Sequence, residues 1–306
     1  MTPQYQKHYP VMLKEVLEAL NVSDGKLYVD ATFGNGGYSE AILKTADCKV
    51  IALDRDATVL PRAEELKKEY GSRFEFRAGQ FGSFDELVDE TIDGAVFDIG
   101  VSSMQLDQAE RGFSFAKEAP LDMRMSQNGI SAAELVNSLT EKELSDILYN
   151  YGEEKKSRQI AKKIVETRAV KPITTTTELA NIIYQVIKRS YKQAIDPATR
   201  SFQALRIAVN DELGELQKGL AKATQRLNKG GRLVVVDFHS LEDRIVKTFM
   251  KNNSDKVIHV SRYRQPEPQI SHAVFSFASK AVLPSAQELE QNNRSRSAKL
   301  RYAIKN

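Results

Sequence analysis

Short β-type runs alternate with helix-type stretches over the first hundred residues, and this rhythm constrains the fold more than any other feature. The predicted strands cover residues 27–33, 49–54, 74–78 and 93–100, at a spacing of about 20 residues. Such a spacing leaves room for the helical crossover that two parallel strands require. The pattern therefore predicts an α/β protein that opens with a parallel sheet covered by helices on both faces.

The alternation stops for about a hundred residues after Gly100. In this stretch a serine or threonine is three times followed, three positions later, by a glutamate, which is the spacing of a helix capping box. The three pairs are Ser131 with Glu134, Thr140 with Glu143, and Thr175 with Glu178. We expect an all-helical domain at 107–208, inserted into a sheet domain that consists of 1–106 and 209–306.

Strand character returns after the predicted insertion. β-type runs cover residues 231–238, 256–263 and 272–279. Before them, apolar residues recur every three or four positions from Leu205 to Leu227, which predicts one long helix joining the two domains. The sheet is thus expected to resume after the helical domain.

Composition excludes several classes of protein. The chain has 306 residues, 41% of them hydrophobic, and can form a globular domain with a sizeable core. Its one cysteine, Cys48, and its four scattered histidines predict neither an internal disulfide nor a metal site. No apolar run reaches the ~18 residues of a membrane span, so we expect a cytoplasmic protein without membrane attachment. A monomer and a homodimer both stay open.

A glycine-rich turn follows the first predicted strand. Asp30 ends that strand, and Gly34, Gly36 and Gly37 lie in the turn before the next helix. Glycine allows the backbone to approach a ligand closely, and Asp54 at the end of the second strand can accept hydrogen bonds from ribose hydroxyls. The turn lacks the third glycine of the dinucleotide motif, and a strand-end carboxylate suits a cation better than a diphosphate. The residues favour S-adenosylmethionine over NAD, although such a turn can also have no ligand.

Asp98 ends the fourth predicted strand, at the edge of the sheet where ligands bind in open α/β folds. We predict the reaction centre there, with a strand-end cap as the alternative role for this aspartate. His239 directly follows the strand at 231–238 and is expected on the same edge, either touching the substrate or hydrogen-bonded to backbone. Glu242 and Asp243 are expected to cap the helix that follows.

The chain resembles, over almost its whole length, the bacterial methyltransferases that modify the N4 amine of a cytidine in the decoding region of 16S ribosomal RNA. The resemblance implies a class I, S-adenosylmethionine-dependent methyltransferase sheet with an antiparallel last strand, interrupted by a helical domain. The segments that carry it are Asp30–Tyr38, Asp54–Asp56, Asp98–Ser103, Gln105–Asp107, Glu110–Phe115, Pro120–Met125, Tyr151–Glu154, Pro197–Arg200, Phe202–Arg206, Val209–Asn210, Phe238–Lys247 and Arg294–Arg301.

The resemblance also implies which residues hold the cofactor, S-adenosylmethionine. They are Gly36, Gly37, Tyr38, Asp54, Phe81, Asp98 and Gln105. Asp98 is in addition our candidate catalytic residue. An acceptor for the hydrogens of the cytosine amine favours the attacking form of its nitrogen, and a neighbouring carbonyl is the alternative acceptor.

Positive charge is concentrated in the predicted helical domain. Residues 151–210 contain twelve lysines and arginines but only five acids, an excess of seven, whereas the whole chain has an excess of three. Such a local excess suits the phosphates of RNA, although solvated helices are often lysine-rich too. We expect 16S rRNA in the small ribosomal subunit as the partner. The candidate substrate contacts are Asp122, Arg124, Arg200, Gln203, Arg206 and His239.

Two smaller groups of residues are also candidates for RNA contact. Phe113, Phe115 and Phe202 can either stack on an unpaired base or pack in the core. The C-terminus carries a basic strip that is expected to face RNA as well. Its members are Arg294, Arg296, Lys299, Arg301 and Lys305.

Two other functions stay open on the sequence. A methyltransferase for a small molecule would not need a basic insertion of about a hundred residues. A non-catalytic, RNA-binding assembly factor would not need to keep Asp30, Asp54 and Asp98 together. Both therefore rank below a methyltransferase that acts on RNA.

Overall fold

The computed structural model of the chain describes residues 9–189, 195–254 and 273–306. Its helices, in chain order, are α1 Leu13–Leu20, α2 Gly37–Thr45, α3 Leu60–Tyr70, α4 Phe84–Leu87, α5 Ser103–Asp107, α6 Ala132–Ser138, α7 Glu141–Gly152, α8 Ser157–Arg168, α9 Thr176–Val186, α10 Thr199–Asn210, α11 Glu212–Arg226, α12 Ser240–Asn252 and α13 Ala286–Gln291. Its strands are β1 Leu27–Asp30, β2 Lys49–Asp54, β3 Phe74–Ala78, β4 Ile92–Asp98, β5 Leu227–Asp237, β6 Phe275–Ala278 and β7 Lys299–Lys305.

The chain divides into two compact units. The sheet unit consists of Met1–Gly100 and Leu213–Asn306, and the helical unit is Val101–Glu212. The helical unit thus begins before, and ends after, the 107–208 expected from the sequence. At its start, α5 begins at a capping box on Ser102. At its end, Arg206 of α10 is paired with Glu212.

The sheet unit contains a seven-stranded sheet in the order β3-β2-β1-β4-β5-β7-β6. The first five strands pair in parallel, and β7 runs antiparallel between β5 and β6. Parallel strands must be covered on both faces, which the apolar strand sequences allow. This topology confirms the predicted fold, the class I methyltransferase sheet with an antiparallel last strand.

The two faces of the sheet have separate cores. Val96 and Val234 pack on one face with helices α1 and α2, whereas Phe97 and Val235 pack on the other face with α11 and α12. Successive side chains of a strand point to opposite faces, so these alternating apolar residues fill both cores. The alternation fixes which face each strand-end residue lies on.

Several strand boundaries differ from the predicted ones. β1 ends at Asp30 instead of residue 33, because the glycine turn starts there, and β5 begins at Leu227 instead of residue 231. The predicted strand at 256–263 lies outside the described residues.

β7 carries most of the basic strip that was expected to face RNA. Within the protein, Lys299 and Arg301 of this strip form ion pairs with Asp243.

The predicted long helix from Leu205 to Leu227 is wrong. α10 ends at Asn210, Asp211 adopts a left-handed conformation with φ of 48°, and α11 starts at Glu212. Aspartate tolerates this conformation better than most residues. The apolar stripe is consequently divided between two cores, and Leu205 belongs to that of the helical unit.

The helical unit has a core of its own, formed by α6 to α10 and the loops before them. All three predicted capping boxes are present, at Ser131, Thr140 and Thr175. Phe113 and Phe202 are buried in this core, and the ring of Phe115 packs edge-on against Phe202 with centroids 4.8 Å apart. Of the two possible roles of these rings, the structure therefore selects packing.

No helix among the described residues combines the length and the apolar character that a membrane span needs.

Candidate active site

Three aspartates end neighbouring parallel strands on the same face of the sheet. Asp30 of β1 is in register with Ala52 of β2 and Val96 of β4, so Asp54 and Asp98 each lie two residues beyond the paired position. Parallel strands bring their carboxyl ends to one edge of the sheet. Residues two positions apart on a strand point to the same face, so the three aspartate side chains share one face. The edge of the sheet therefore carries three carboxyl groups above the glycine turn.

Asp30 holds the glycine turn in place. It is fully buried, and its Oδ2 accepts hydrogen bonds from the Ser39 hydroxyl at 2.7 Å and the Ser39 amide at 3.2 Å. Its Oδ1 accepts one from the Thr32 amide at 3.3 Å. Burial raises the pKa of Asp30 to about 6, although these hydrogen bonds oppose the rise. Because its oxygens already have partners, Asp30 positions the turn.

Glycine is required in this turn at two positions. Gly36 has a φ of 74°, and a Cβ there would lie 2.8 Å from the Phe33 ring. At Gly37 a Cβ would lie 2.3 Å from Cγ of Pro10. The Tyr38 side chain is buried in the core, and its hydroxyl donates to the Val11 carbonyl. The Gly36 amide already donates to the Phe33 carbonyl at 2.7 Å. The turn can therefore bring its backbone close to a ligand, while the Tyr38 side chain points into the core.

Asp54 closes the turn from the side of β2. Its Oδ2 accepts a hydrogen bond from the Gly34 amide at 2.8 Å, and its Oδ1 accepts one from the Asp56 amide at 2.9 Å. Burial raises the pKa of Asp54. A carboxylate has about four acceptor positions, so capacity is left for two hydroxyl groups of a ligand.

Asp98 has an unpaired carboxyl oxygen. Its backbone amide donates to the Thr32 hydroxyl at 2.7 Å, which fixes the end of β4 next to the glycine turn. Its Oδ1 is out of contact with solvent and has no hydrogen-bond partner among the described residues. Burial, followed by the charges of Asp30 and Glu242, raises the pKa of Asp98 to about 8. A cation bound here would lower that pKa and give the carboxylate a partner.

Phe81 opens the turn that follows β3. Its ring is half-buried and packs edge-on against Phe97, with centroids 5.6 Å apart. The amide of the next residue, Gly82, donates to Oε2 of Glu215 at 3.1 Å. This hydrogen bond holds the turn that carries Phe81 against α11. The Phe81 ring is therefore an apolar surface in a fixed position.

His239 caps helix α12. Its Nδ1 accepts a hydrogen bond from the Glu242 amide at 3.4 Å, and its Nε2 lies 3.0 Å from Oε1 of Glu242. Oε2 of Glu242 in turn accepts from the amides of Phe238 and His239. Both ring nitrogens of His239 thus face Glu242. This is the second of the two roles expected from the sequence, a histidine hydrogen-bonded to backbone. Glu242 caps the helix as predicted.

The remaining cofactor candidate, Gln105, lies in the helical unit. Its Oε1 accepts from the Ser102 amide at 3.1 Å, and its own amide donates to the Ser102 hydroxyl at 3.2 Å. Gln105 is 5% exposed, so it completes a buried capping box at the start of α5.

Several of the predicted RNA contacts in the helical unit are bonded to the protein itself. Asp122 and Arg124 form a two-pronged ion pair, with Nη2 at 2.6 Å and Nε at 3.0 Å from the carboxylate oxygens. Arg206 forms an equivalent pair with Glu212 at 2.8 Å. These contacts rigidify the loop before α6 and the end of α10, so their charges are already neutralised.

Two other predicted contacts differ from these pairs. Gln203 donates from Nε2 to the Tyr151 carbonyl at 3.3 Å. Arg200 is exposed on the first turn of α10, and its side chain makes no hydrogen bond or ion pair within 9–189, 195–254 and 273–306. Of the predicted contacts in this unit, Arg200 is thus the one whose charge stays available for a phosphate.

Sequence reasoning missed Asp237, at the end of β5. It follows Val236, which is in register with Asp98, so its side chain lies on the opposite face of the sheet. It is fully buried, and neither carboxyl oxygen has a hydrogen-bond partner among the described residues. Burial, followed by the charges of Asp243 and Glu242, raises its pKa to about 8. Its position at a strand end was the available signal.

The residues on the shared face fit S-adenosylmethionine. The buried, unpartnered Oδ1 of Asp98 calls for a donor or a cation, and the free acceptor positions of Asp54 suit a ribose. Because Gly36 has no side chain, the turn packs closely against the Phe33 ring. Three carboxyl groups would repel a diphosphate, so the donor set is wrong for a dinucleotide.

The comparisons with known proteins give the family of the chain. The model of the MraW methylase family matches residues 5–306. The chain is 53% identical over 301 residues to ribosomal RNA small subunit methyltransferase H of Rickettsia canadensis, with 97% of each chain covered. It is also 53% identical over 306 residues to the protein of that name from Rhodospirillum rubrum, which covers 96% of this chain and 93% of the relative.

Proposed function

This chain belongs to the MraW methylase family, and from that premise we propose that it methylates the N4 amine of a cytidine in the decoding region of 16S rRNA. The methyl donor is S-adenosylmethionine. The observation that carries the proposal is the row of Asp30, Asp54 and Asp98 on one face of the sheet edge, beside a glycine turn. The 53% identity to proteins named small subunit methyltransferase supports the rRNA substrate.

The cofactor site is assembled from the sheet unit. S-adenosylmethionine supplies a methyl group activated by a positively charged sulfonium. Asp54 would accept hydrogen bonds from its ribose hydroxyls, and the backbone at Gly36 and Gly37 would line the approach. Phe81 contributes an apolar surface. Gln105 is proposed as a further contact on the strength of the family resemblance.

Asp98 orients the amine that is methylated. The nitrogen lone pair of cytosine is delocalised into the ring, so the amine is a weak nucleophile. The carboxylate of Asp98 accepts a hydrogen bond from an N4 hydrogen, which favours the pyramidal form with its lone pair free. A cation bound nearby would lower the raised pKa of about 8 and so favour the charged carboxylate. The fixed backbone of Asp98 supplies the alignment on which the rate depends.

The RNA is contacted by the helical unit and by residues near the sheet edge. The seven excess positive charges in residues 151–210 favour a polyanionic substrate over a small molecule. Arg200 is the best-placed of the predicted contacts, because its side chain is exposed and unpaired among the described residues. We place the reaction in the cytoplasm, where the small ribosomal subunit is assembled and works.

Methyl transfer with labelled S-adenosylmethionine tests this function. The acceptors compared are purified small ribosomal subunits, naked 16S rRNA and free cytidine, and the modified nucleotide is located by mass spectrometry. We expect label on one cytidine of the rRNA, in the N4 position. Transfer to cytidine alone at an equal rate would favour a small-molecule enzyme. Binding of subunits without transfer would favour an assembly factor.

A further inference from the structure

A groove of about 400 Å³ lies between the second half of α7 and the first turn of α8, entirely within the helical unit. Its lining includes one tyrosine, two serines and three basic side chains. The sequence indicated a positive charge excess in this region but did not single out any site there. The size of the groove is in the range of pockets that hold a nucleotide-sized ligand.

Tyr149 provides an aromatic surface at the groove. It is 62% exposed, whereas Leu144 and Leu148 of the same helix are buried. It makes no hydrogen bond with another described residue. A tyrosine in this state has a free face on which an unpaired base can stack.

The charge in the groove is positive. Lys155, Lys156 and Arg158 are exposed, and the acid beside them, Asp146, is paired with Lys142 at 2.7 Å. Lys156 donates to the Val186 carbonyl, but Lys155 and Arg158 have no acidic partner in the described part of the chain. Cations without a counterion on the protein attract a polyanion.

The floor of the groove offers hydrogen-bond donors. Ser145 and Ser157 are 9% and 4% exposed, and their hydroxyl oxygens lie 3.3 Å apart. A hydrogen bond between the two hydroxyls uses the proton of only one of them. The other hydroxyl can therefore donate to a ligand. The amides of Arg158 and Gln159, in the first turn of α8, also lack an acceptor among the described residues. A phosphate oxygen could accept from these groups together.

We propose that this groove binds one unpaired nucleotide of the RNA substrate, with its base on Tyr149 and its phosphate against Lys155, Arg158 and the serine hydroxyls. The inference rests on the proposed RNA substrate and names where the helical unit contacts it. An acidic protein segment would satisfy the cations but would leave the exposed ring without a function, so RNA is favoured.

Two variants test the groove by direct binding. Tyr149→Ala removes the stacking surface, and Arg158→Gln removes one cation. The probe is a fluorescein-labelled single-stranded oligoribonucleotide of the decoding-region sequence, followed by anisotropy at several salt concentrations. Tyr149→Ala should raise the Kd about tenfold. Arg158→Gln should raise it and lower the slope of log affinity against log salt by about one.

Matched controls exist in the sheet unit. Tyr9 is a similarly exposed tyrosine at 54%, and Lys68 is an exposed cation on α3. Tyr9→Ala and Lys68→Gln should bind the oligoribonucleotide like the wild type. Circular dichroism and calorimetric titration with S-adenosylmethionine should show that all four variants fold and bind the cofactor equally.

The outcomes separate this inference from the proposed function. If Tyr149→Ala and Arg158→Gln bind RNA as tightly as the controls, the groove proposal is wrong even when the enzyme methylates rRNA. If the wild type transfers no methyl group but both groove variants lose RNA binding, the proposed reaction fails and the groove stands. Equal competition by polyglutamate and RNA would overturn the groove proposal in favour of an acidic protein partner.

Discussion

A buried aspartate of the sheet unit and two arginines of the helical unit differ in how their charged groups are partnered. At the edge of the sheet, Asp98 keeps a buried carboxyl oxygen without a partner. In the helical unit, Arg124 and Arg206 are held in two-pronged ion pairs with acids of the same unit. An unsatisfied buried polar atom is costly unless a ligand completes it, whereas a completed pair is a structural element. The difference identifies which charges are available for function.

The largest effect is expected at Asp98. Asp98→Asn keeps the shape of the side chain but removes the charge that accepts the hydrogen bond of the amine. Turnover on small ribosomal subunits should fall about a hundredfold, in the range of general acid–base contributions. Asp237→Asn is the matched control, because it changes a strand-end aspartate on the opposite face. Unchanged turnover and unchanged cofactor affinity in Asp98→Asn would remove Asp98 from the mechanism.

Much of the sheet unit could be predicted because its signals are local. Strand periodicity, the glycine turn and a carboxylate at each strand end are all readable within a few residues. β7 could not be read this way, since Lys299 and Arg301 look like a basic surface strip until Asp243 of α12 is placed beside them. Distant ion pairs are invisible to a pattern that spans a few residues.

The ion pairs of the helical unit could not be predicted for the same physical reason. The partner of Arg206 is Glu212, six residues away across the break at Asp211, which the apolar stripe concealed. The break depends on a single left-handed residue, and a periodic pattern does not report the backbone conformation of one residue. Capping boxes were predicted correctly because their two partners are three residues apart.

The second-largest effect concerns cofactor affinity. Asp54→Asn removes one anionic acceptor for ribose hydroxyls, and a hydrogen bond to a charged group contributes about 1.5–3 kcal/mol. The Kd for S-adenosylmethionine should therefore rise about 10- to 100-fold, as measured by isothermal titration calorimetry. The affinity for the labelled oligoribonucleotide should not change. A Kd within twofold of the wild type would mean that the ribose is held elsewhere.

Asp237 allows a test through pH. Its pKa of about 8 in the folded protein exceeds the ordinary value of 3.8, so the folded state binds a proton that the unfolded state releases. Its contribution to stability is complete below the unfolded pKa and is lost as the pH rises towards about 8. Asp237→Asn carries no charge at any pH, so its advantage over the wild type should grow by about 2 kcal/mol between pH 6 and pH 9.

Urea denaturation at the two pH values measures this difference. Asp47→Asn is a suitable control, because the Asp47 side chain is 86% exposed. Its effect on stability should be the same at both pH values. A pH-independent difference for Asp237→Asn would show that the carboxyl of Asp237 is ionised in the folded protein, with a cation or water as its partner.

The smallest effects are expected for two arginines of α10, Arg206 and Arg200, of which the first is paired and the second is not paired with another described residue. Arg206→Gln leaves Glu212 without its partner and should lower the free energy of unfolding by about 1 kcal/mol. Arg200→Gln breaks no ion pair among the described residues, so stability should not change, while the Kd for the oligoribonucleotide should rise about threefold with a lower salt slope. Urea denaturation and anisotropy on both variants separate the two roles. If Arg206→Gln instead weakened RNA binding and left stability unchanged, the ion pair between Arg206 and Glu212 would have to break when RNA binds. Arginines that are paired in the free protein would then also contribute to RNA binding.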